Sequence, residues 1–331
     1  MTSNDRPSWR ARFRVNPLPI LVSSLNIALG YCVQRDLLMD ADATPEAVWE
    51  LPVVRSYLRR QQPNGSWRYP GGGRPYLRSA ENYDQLETYR VLGELVEKYA
   101  MDKTHPSIER AAEYLFSVQT DEGDFRGIYG TQYTPNYSAG IMELLIKAGY
   151  AKDSRIDKGF RWLLSIRQND GGWAIPLRTK GMNFTRTVLN STDVIQPNRD
   201  KSFSHLVTGV VLRAFAAHQV YRLYPEAQHA GSLLASRFFK PDIYPDRRTA
   251  AYWEHTSFPF WFTDAVSALD SLSLLEFAPT QKPIADALDW FVRRQQDDGG
   301  FNLKIVRGKD QDTRLWICFA VCRVFQRSYK E

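Results

Sequence analysis

The chain has 331 residues, of which 43% are hydrophobic and 24% charged, so its composition is that of a globular protein and not of a disordered one. The formal net charge is only +6, and the basic residues are spread along the chain, which argues against a nucleic-acid-binding protein. Three cysteines, Cys32, Cys318 and Cys322, give no disulfide framework and fit a reducing cytoplasm.

The apolar segment 18–29 follows several arginines and superficially resembles a signal peptide, but polar residues interrupt it and no small-residue cleavage pattern follows. No stretch reaches the roughly 20 apolar residues that a membrane-spanning helix needs. We therefore predict a cytoplasmic protein, or one peripheral to an anionic membrane surface. Residues 1–17 form a basic N-terminal arm in this interpretation, and residues 18–331 form a single domain.

Apolar periodicity predicts an all-α fold, because no alternating strand pattern competes with it. Proline at the front of a segment and glycine after it mark several of the helix ends. The predicted helices lie near residues 18–38, 46–62, 82–99, 105–119, 136–149, 155–168, 203–223, 226–239, 262–277, 281–296 and 312–328.

Four of these helices share one ending: a Gln, a short polar turn, one or two glycines and an aromatic ring. The copies occupy residues 57–67, 114–125, 162–173 and 290–301. A unit that recurs at this size predicts a repeat architecture. The last two copies are about two units apart, so we expect a degenerate copy between them, and residues 233–241 are the candidate.

The helices that carry this ending have charged faces, whereas segments such as 204–221 and 262–275 are apolar around most of their circumference. A helix that is apolar all round is buried. Alternation of the two types predicts two concentric helix layers, which is an (α/α) barrel, or toroid. In the repeated ending, Gly supplies a left-handed turn, Gln bonds free carbonyls and the aromatic ring covers the neighbouring repeat. We expect the repeats to hold the fold together and to do no chemistry.

Residues 168–173 (QNDGGW) and 296–301 (QDDGGF) resemble the QW repeats of squalene–hopene and oxidosqualene cyclases and of protein prenyltransferase β subunits. The resemblance covers about residues 46–328 and implies a single (α/α)6 toroid whose mouth is built by the loops between the outer and inner helices. The chain departs from those cyclases, which pair two toroids. It also lacks the zinc ligands of the prenyltransferases, so we predict no metal and no cofactor.

The last repeat is followed by Asp310-Gln311-Asp312-Thr313. Class II cyclases carry a similar Asp-x-Asp-Asp-Thr segment whose middle Asp protonates an alkene or an epoxide. The resemblance therefore implies that Asp312 is the proton donor, with Asp310 beside it. The alternative is that Asp312 caps the helix that follows it.

Other side chains predicted at the mouth are aromatic or basic. The aromatic and imidazole candidates for substrate binding are Tyr83, Tyr137, Phe203, His205, Phe260, Trp261 and Trp316. The basic candidates are Arg74, Arg78, Arg186 and Arg314, which would suit a diphosphate or a carboxylate. Glu254 and His255 lie in a long loop and could act as an acid/base pair. Each group has a structural alternative: aromatic residues fill cores, and long loops collect solvated charge.

Three functions remain open on this evidence. The leading one is a terpenoid-handling enzyme that performs class II-like cyclisation or acts on a prenyl diphosphate. The second is a non-catalytic toroid that binds a lipid, a peptide or a partner subunit. The third follows from residues 62–70, which resemble a repeat of polysaccharide lyases acting on acidic sugars. The leading function implies a hydrophobic or prenyl-diphosphate ligand.

Overall fold

A computed structural model describes residues 8–71, 79–306 and 312–329. The predicted all-α class is confirmed, since helices account for nearly all the regular structure of these ranges. The helices are α1 (Leu18–Val22), α2 (Ile27–Asp36), α3 (Glu46–Trp49), α4 (Pro52–Arg59), α5 (Ala80–Glu97), α6 (Pro106–Ser117), α7 (Pro135–Leu145), α8 (Ser154–Ser165), α9 (Pro176–Thr179), α10 (Phe184–Asn190), α11 (His205–Ala217), α12 (Pro225–Ala235), α13 (Ala265–Leu274), α14 (Lys282–Arg293) and α15 (Thr313–Ser328). Two short strands, β1 (His255–Thr256) and β2 (Lys304–Ile305), pair in parallel.

The chain divides into two compact units, one formed by residues 45–221 and the other by residues 1–44 together with 222–331. In the 45–221 unit, α7 and α11 are buried around almost their whole circumference and pack on each other. The helices α6 and α8 bury one face only, and α8 packs on α7. Buried and amphipathic helices therefore form two layers within this unit, as the alternation in the sequence predicts.

The second unit repeats this arrangement. Its buried helices are α13 and α15, which pack against each other, while α12 and α14 pack on α13. The helices α1 and α2 pack on α15. Residues before α1 join the same core, because the rings of Phe13 and Phe325 lie 4.2 Å apart between centroids.

The Gln of the repeated ending acts as a bridge. In the second copy, the Gln119 side-chain amide donates to the carbonyl of Gly123 in its own turn at 2.8 Å and to that of Arg155 in α8 at 2.9 Å. Gln61 makes the same pair of bonds, to Gly65 and to Ser107 in α6. One amide thus joins the end of one outer helix to the start of the next.

The glycines of these turns are required by the backbone. Gly65 and Gly123 have φ values of +91° and +111°, a region that other residues rarely adopt. A Cβ atom at Gly65 would lie 2.2 Å from the carbonyl oxygen of Arg110, and one at Gly123 would lie 2.6 Å from that of Lys158. The turn therefore packs its backbone directly against the neighbouring helix.

The closing aromatic residue is anchored in the same way in two copies. The indole N–H groups of Trp67 and Trp173 donate to the carbonyls ten residues earlier, those of Tyr57 and Leu163. In the region of the expected degenerate copy, the indole of Trp253 instead donates to Lys240 at 2.9 Å and packs on Phe238.

Several predicted helices differ in detail. The predicted helix 203–223 is too long, because His218 is extended and α11 ends at Ala217. The predicted helix 18–38 is wrong as a single element, because Asn26 caps α2 by accepting from the Leu29 N–H and separates it from α1. The predicted helix 46–62 is broken at Leu51, which is extended because it precedes Pro52. The predicted start at residue 262 is also too early, since Asp264 and Ser267 form a capping box that begins α13 at Ala265.

No helix is predicted between residues 168 and 203, and this connection contains the short helices α9 and α10. Pro176 begins the first of them, and Asn183 caps the second. Among the described residues, no helix has both the length and the apolar character that crossing a membrane requires.

The Gln bridge predicts a stability effect. Replacement of Gln119 by Leu removes two hydrogen bonds and leaves the Gly123 carbonyl buried, so we expect the free energy of unfolding to fall by about 2 to 3 kcal/mol. Urea denaturation followed by circular dichroism measures this. The matched control is Gln34→Leu on the exposed side of α2, which should change stability by less than about 0.5 kcal/mol. Equal midpoints for the two variants would contradict the bridge.

Candidate functional site

Asp312 lies at the start of α15 and is partly buried. Its side chain makes no capping hydrogen bond to α15. Oδ2 of Asp312 instead accepts from the side-chain amide of Asn26 at 2.6 Å. Asn26 was not among the candidate residues, because 286 positions separate it from Asp312 and no motif marks it.

A buried aromatic cluster begins one turn further along α15. The backbone N–H of Trp316 donates to the Asp312 carbonyl, so both side chains lie on the same face of the helix. Trp316 stacks on Phe258 with centroids 5.3 Å apart and an interplanar angle of 6°. Phe260 meets Phe258 edge to face at 5.5 Å. Two candidate residues, Trp316 and Phe260, are thus brought together through Phe258.

Two buried hydroxyl groups lie next to this cluster along the chain. Thr313 precedes Trp316 by one helical turn, and Thr256 precedes Phe258 by two residues. Both are almost fully buried, and neither hydroxyl has a hydrogen-bond partner within the described ranges. Buried polar atoms are normally paired, so these two hydroxyls are positions where a water molecule or a ligand can bind.

The side chains of Glu254 and His255 contact different residues. The Glu254 carboxylate forms an ion pair with Arg294 at 2.9 Å. The imidazole of His255 meets the ring of Tyr252 at 5.3 Å, and the guanidinium of Arg247 lies 4.5 Å from that same ring. Burial lowers the pKa of His255 below its usual 6.5, and the positive charges of Lys304 and Arg247 lower it further.

Tyr137 belongs to a second polar cluster, in the 45–221 unit. Its hydroxyl is buried without a partner in the described part of the chain, as is the side-chain nitrogen of Gln85. The two side chains flank Gly127, where a Cβ atom would lie 2.9 Å from Gln85 Oε1 and 3.1 Å from the Tyr137 hydroxyl. Burial raises the pKa of Tyr137 well above 10, so its hydroxyl is neutral.

The other candidates of this unit lie in varied surroundings. The ring of Tyr83 packs on Tyr69 at 5.2 Å, and the backbone N–H of Phe203 donates to Asp170. His205 is buried at the start of α11, whereas Arg186 is exposed on α10.

In the other unit, Trp261 is partly buried, and its backbone N–H donates to the Ser257 hydroxyl. Arg314 is exposed on α15 and donates to the side chain of Gln296 in the last repeat. Arg74, Arg78 and Asp310 lie outside the described residues.

The predicted resemblance to squalene–hopene cyclases is confirmed for part of the chain. Residues 84–187 match the family model of the squalene-hopene cyclase C-terminal domain. This range includes two of the four repeated endings, those that close at Phe125 and Trp173. No curated protein matches the chain significantly.

Among solved structures, a polysaccharide lyase is 11% identical, with 92% of this chain and 90% of that chain covered and a TM-score of 0.45. A variant of the type II terpene cyclase MstE from Scytonema, in complex with geranylgeranyl dihydroxybenzoate, is 13% identical, with coverages of 91% and 85% and a TM-score of 0.42. An alpha-amylase from Clostridium perfringens is 15% identical, with coverages of 83% and 79% and a TM-score of 0.41. These likenesses are too weak to discriminate between functions.

The burial and the positive neighbours of His255 predict a lowered pKa for its imidazole. We expect its imidazole to titrate below pH 6.5 and Lys304→Met to raise this pKa, because a neighbouring positive charge is removed. Proton NMR of the imidazole measures both, and Lys282→Met on exposed α14 is the control. The unfolded chain binds the proton more readily, so His255 costs stability as pH falls from 6.5 through its folded pKa. An unchanged pKa in Lys304→Met would show that the lysine does not act on this imidazole.

Proposed function

We propose that the chain is an enzyme that cyclises a hydrophobic isoprenoid by protonating a terminal alkene or epoxide, with Asp312 as the acid. The observation that supports this most is the position of the Asp312 carboxylate. It is held by Asn26 and does not cap its helix, and it shares a helix face with Trp316. The match of residues 84–187 to a cyclase family model is consistent with this chemistry.

The proton would be carried on Oδ1 of Asp312, because Oδ2 accepts the Asn26 hydrogen bond. Its transfer to the less substituted carbon of an alkene forms a C–H bond and leaves a tertiary cation on the neighbouring carbon. A second alkene of the same molecule then attacks that cation and forms a C–C bond. Loss of a proton from the final cation regenerates an alkene, so the reaction is an isomerisation that needs no co-reactant.

The aromatic faces beside the acid would stabilise the cations. A cation within about 6 Å of an aromatic centroid gains roughly 0.5 to 2 kcal/mol, and more when water is excluded. Phe258 and Trp316 are both almost fully buried, so water is already excluded around their rings. The buried hydroxyl of Thr313 would hold the water that returns a proton to Asp312.

Asp312→Asn tests this function. The amide keeps the shape of the side chain but has no acidic proton, so we expect the rate of cyclisation to fall by about 10²- to 10⁴-fold. The assay incubates the protein with squalene, oxidosqualene and geranylgeranyl diphosphate and detects cyclic isomers by gas chromatography and mass spectrometry. Asp289→Asn, an exposed carboxylate on α14, is the control and should retain the wild-type rate. A cyclising enzyme whose Asp312→Asn variant keeps full activity would exclude Asp312 as the acid.

A second function is favoured by the surroundings of His255. A neutral imidazole flanked by two positive charges and a Tyr suits the cleavage of an acidic polysaccharide by β-elimination. His255 would remove the proton next to the sugar carboxylate, and Arg247 and Lys304 would stabilise the resulting enolate. The Tyr252 hydroxyl would protonate the departing sugar oxygen as the C–O bond breaks.

The variants His255→Asn and Asp312→Asn distinguish the two functions, because each removes the proposed catalytic group of only one of them. If elimination is the reaction, a polyuronate substrate gains ultraviolet absorbance from the unsaturated product. His255→Asn then abolishes this gain, while Asp312→Asn leaves it unchanged. Loss of polyuronate cleavage in Asp312→Asn, with cleavage retained in His255→Asn, would exclude the lyase mechanism.

A further inference from the structure

An open cavity of about 970 Å³ lies within the unit formed by residues 1–44 and 222–331. Its wall combines the segment before α1, the end of α2 with the turn that follows, and the last turns of α15. The residues that line it include Trp9, Arg10, Leu38, Met39, Arg323 and Arg327. We call this cavity the arginine groove. Its volume is that of a small-molecule site.

One side of the groove is a network of alternating charges. Arg323 donates to the buried carboxylate of Asp270 at 3.2 Å and lies 3.8 Å from Asp36. Arg327 also donates to Asp270, and Arg35 forms a two-point pair with Asp36. The network holds the planes of three guanidinium groups in fixed positions at the groove wall.

The network is not neutral. Four guanidinium groups line the groove, with Arg10 as the fourth, whereas the network contains only the two carboxylates of Asp36 and Asp270. A surplus of two positive charges remains. The Nε atom of Arg327 is buried and has no hydrogen-bond partner among the described residues. Burial lowers the pKa of Arg327, as does the charge of Arg323, which indicates that Asp270 only partly compensates its charge.

The other side of the groove is apolar. Leu38 and Met39 are 42% and 73% exposed, which is high for side chains of this type, and they stand beside Leu37. The rings of Trp9 and Tyr329 complete this side. The guanidinium of Arg10 lies 5.6 Å from the Trp9 ring, so the charged and apolar sides meet there.

We propose that the arginine groove binds an anionic amphiphile, a molecule with one phosphate or carboxylate headgroup and an apolar chain. Arg10 and Arg327 contact the headgroup, whose negative charge offsets part or all of the surplus, and Arg is suited to such planar two-point recognition. The apolar chain lies on Leu38 and Met39. The occupant is a single small molecule, and not a membrane surface.

The groove is separate from the proposed acid. Asp312 and Arg327 lie at opposite ends of α15, and fifteen residues of helix span about 22 Å. Ligand binding in the groove therefore does not depend on the reaction proposed for Asp312, and Asp312→Asn should bind the ligand as the wild-type protein does.

The test uses dodecyl phosphate and dodecanoate below their micelle concentrations, with binding followed by isothermal titration calorimetry and by Trp fluorescence. We expect at least one of these two probes to bind to the full chain. The affinity for dodecanol and for inorganic phosphate should be at least about 10-fold lower, because dodecanol lacks the charged headgroup and phosphate lacks the apolar chain. Arg10→Gln and Arg327→Met should each weaken binding by about 10- to 100-fold. Arg293→Gln, an exposed Arg on α14, is the matched control and should bind normally.

Arg327→Met leaves Asp270 with one partner fewer, so its fold is checked by circular dichroism. Arg10 is exposed, and its variant keeps the test valid if Arg327→Met unfolds. Wild-type affinity in a folded Arg10→Gln protein overturns the proposal, as does equal affinity for dodecanol. Binding only to phosphatidylcholine vesicles that contain phosphatidic acid, and not to the monomeric probes, would identify a membrane-facing patch and also overturn it.

Discussion

The side-chain amide of the repeated Gln is the interaction on which the helix arrangement depends. In three of the four copies its two N–H groups donate to two carbonyls, one in the turn that ends its own helix and one in a neighbouring segment. In the third copy, Gln168 donates instead to the carbonyls of Asn198 and Lys201. Gln295 does this with Gly299 and Val15, so the last repeat holds the segment before α1 in the same way. A buried amide left without these acceptors would lower the free energy of unfolding by roughly 1 to 3 kcal/mol. The bond pair therefore fixes the position of the helices that it joins and also stabilises them.

The helical class and the layer order could be predicted because they depend on spacing and on apolar periodicity, which are local properties of the sequence. The helix breaks at Asn26 and Leu51 could not be placed with the same accuracy. At Asn26 a side chain caps a new helix, and at Leu51 the following proline restricts the backbone. In both places the apolar periodicity continues across the break, so the pattern does not reveal it. Short helices such as α9 and α10 are too brief to show a period.

The candidate site was predictable only in part. Asp312 is predicted from the resemblance of residues 310–313 to a cyclase segment and Trp316 from its residue type, and the structure adds the partners of both. Asn26 reaches Asp312 through the tertiary fold, and an isolated Asn carries no signal of a distant contact. The arginine groove was missed for a similar reason, since its arginines come from three separate segments and are ordinary surface charges in the sequence.

The unit formed by residues 1–44 and 222–331 is discontinuous in sequence, whereas the 45–221 unit is continuous. During synthesis on the ribosome, the continuous unit can complete its contacts while the chain is still growing. Trp9 and Phe13 emerge much earlier than Phe325, the ring on which Phe13 packs. The first helices must therefore wait, with their apolar faces uncovered, until α15 has been made. In a cell, this interval is when the nascent chain would most need a chaperone.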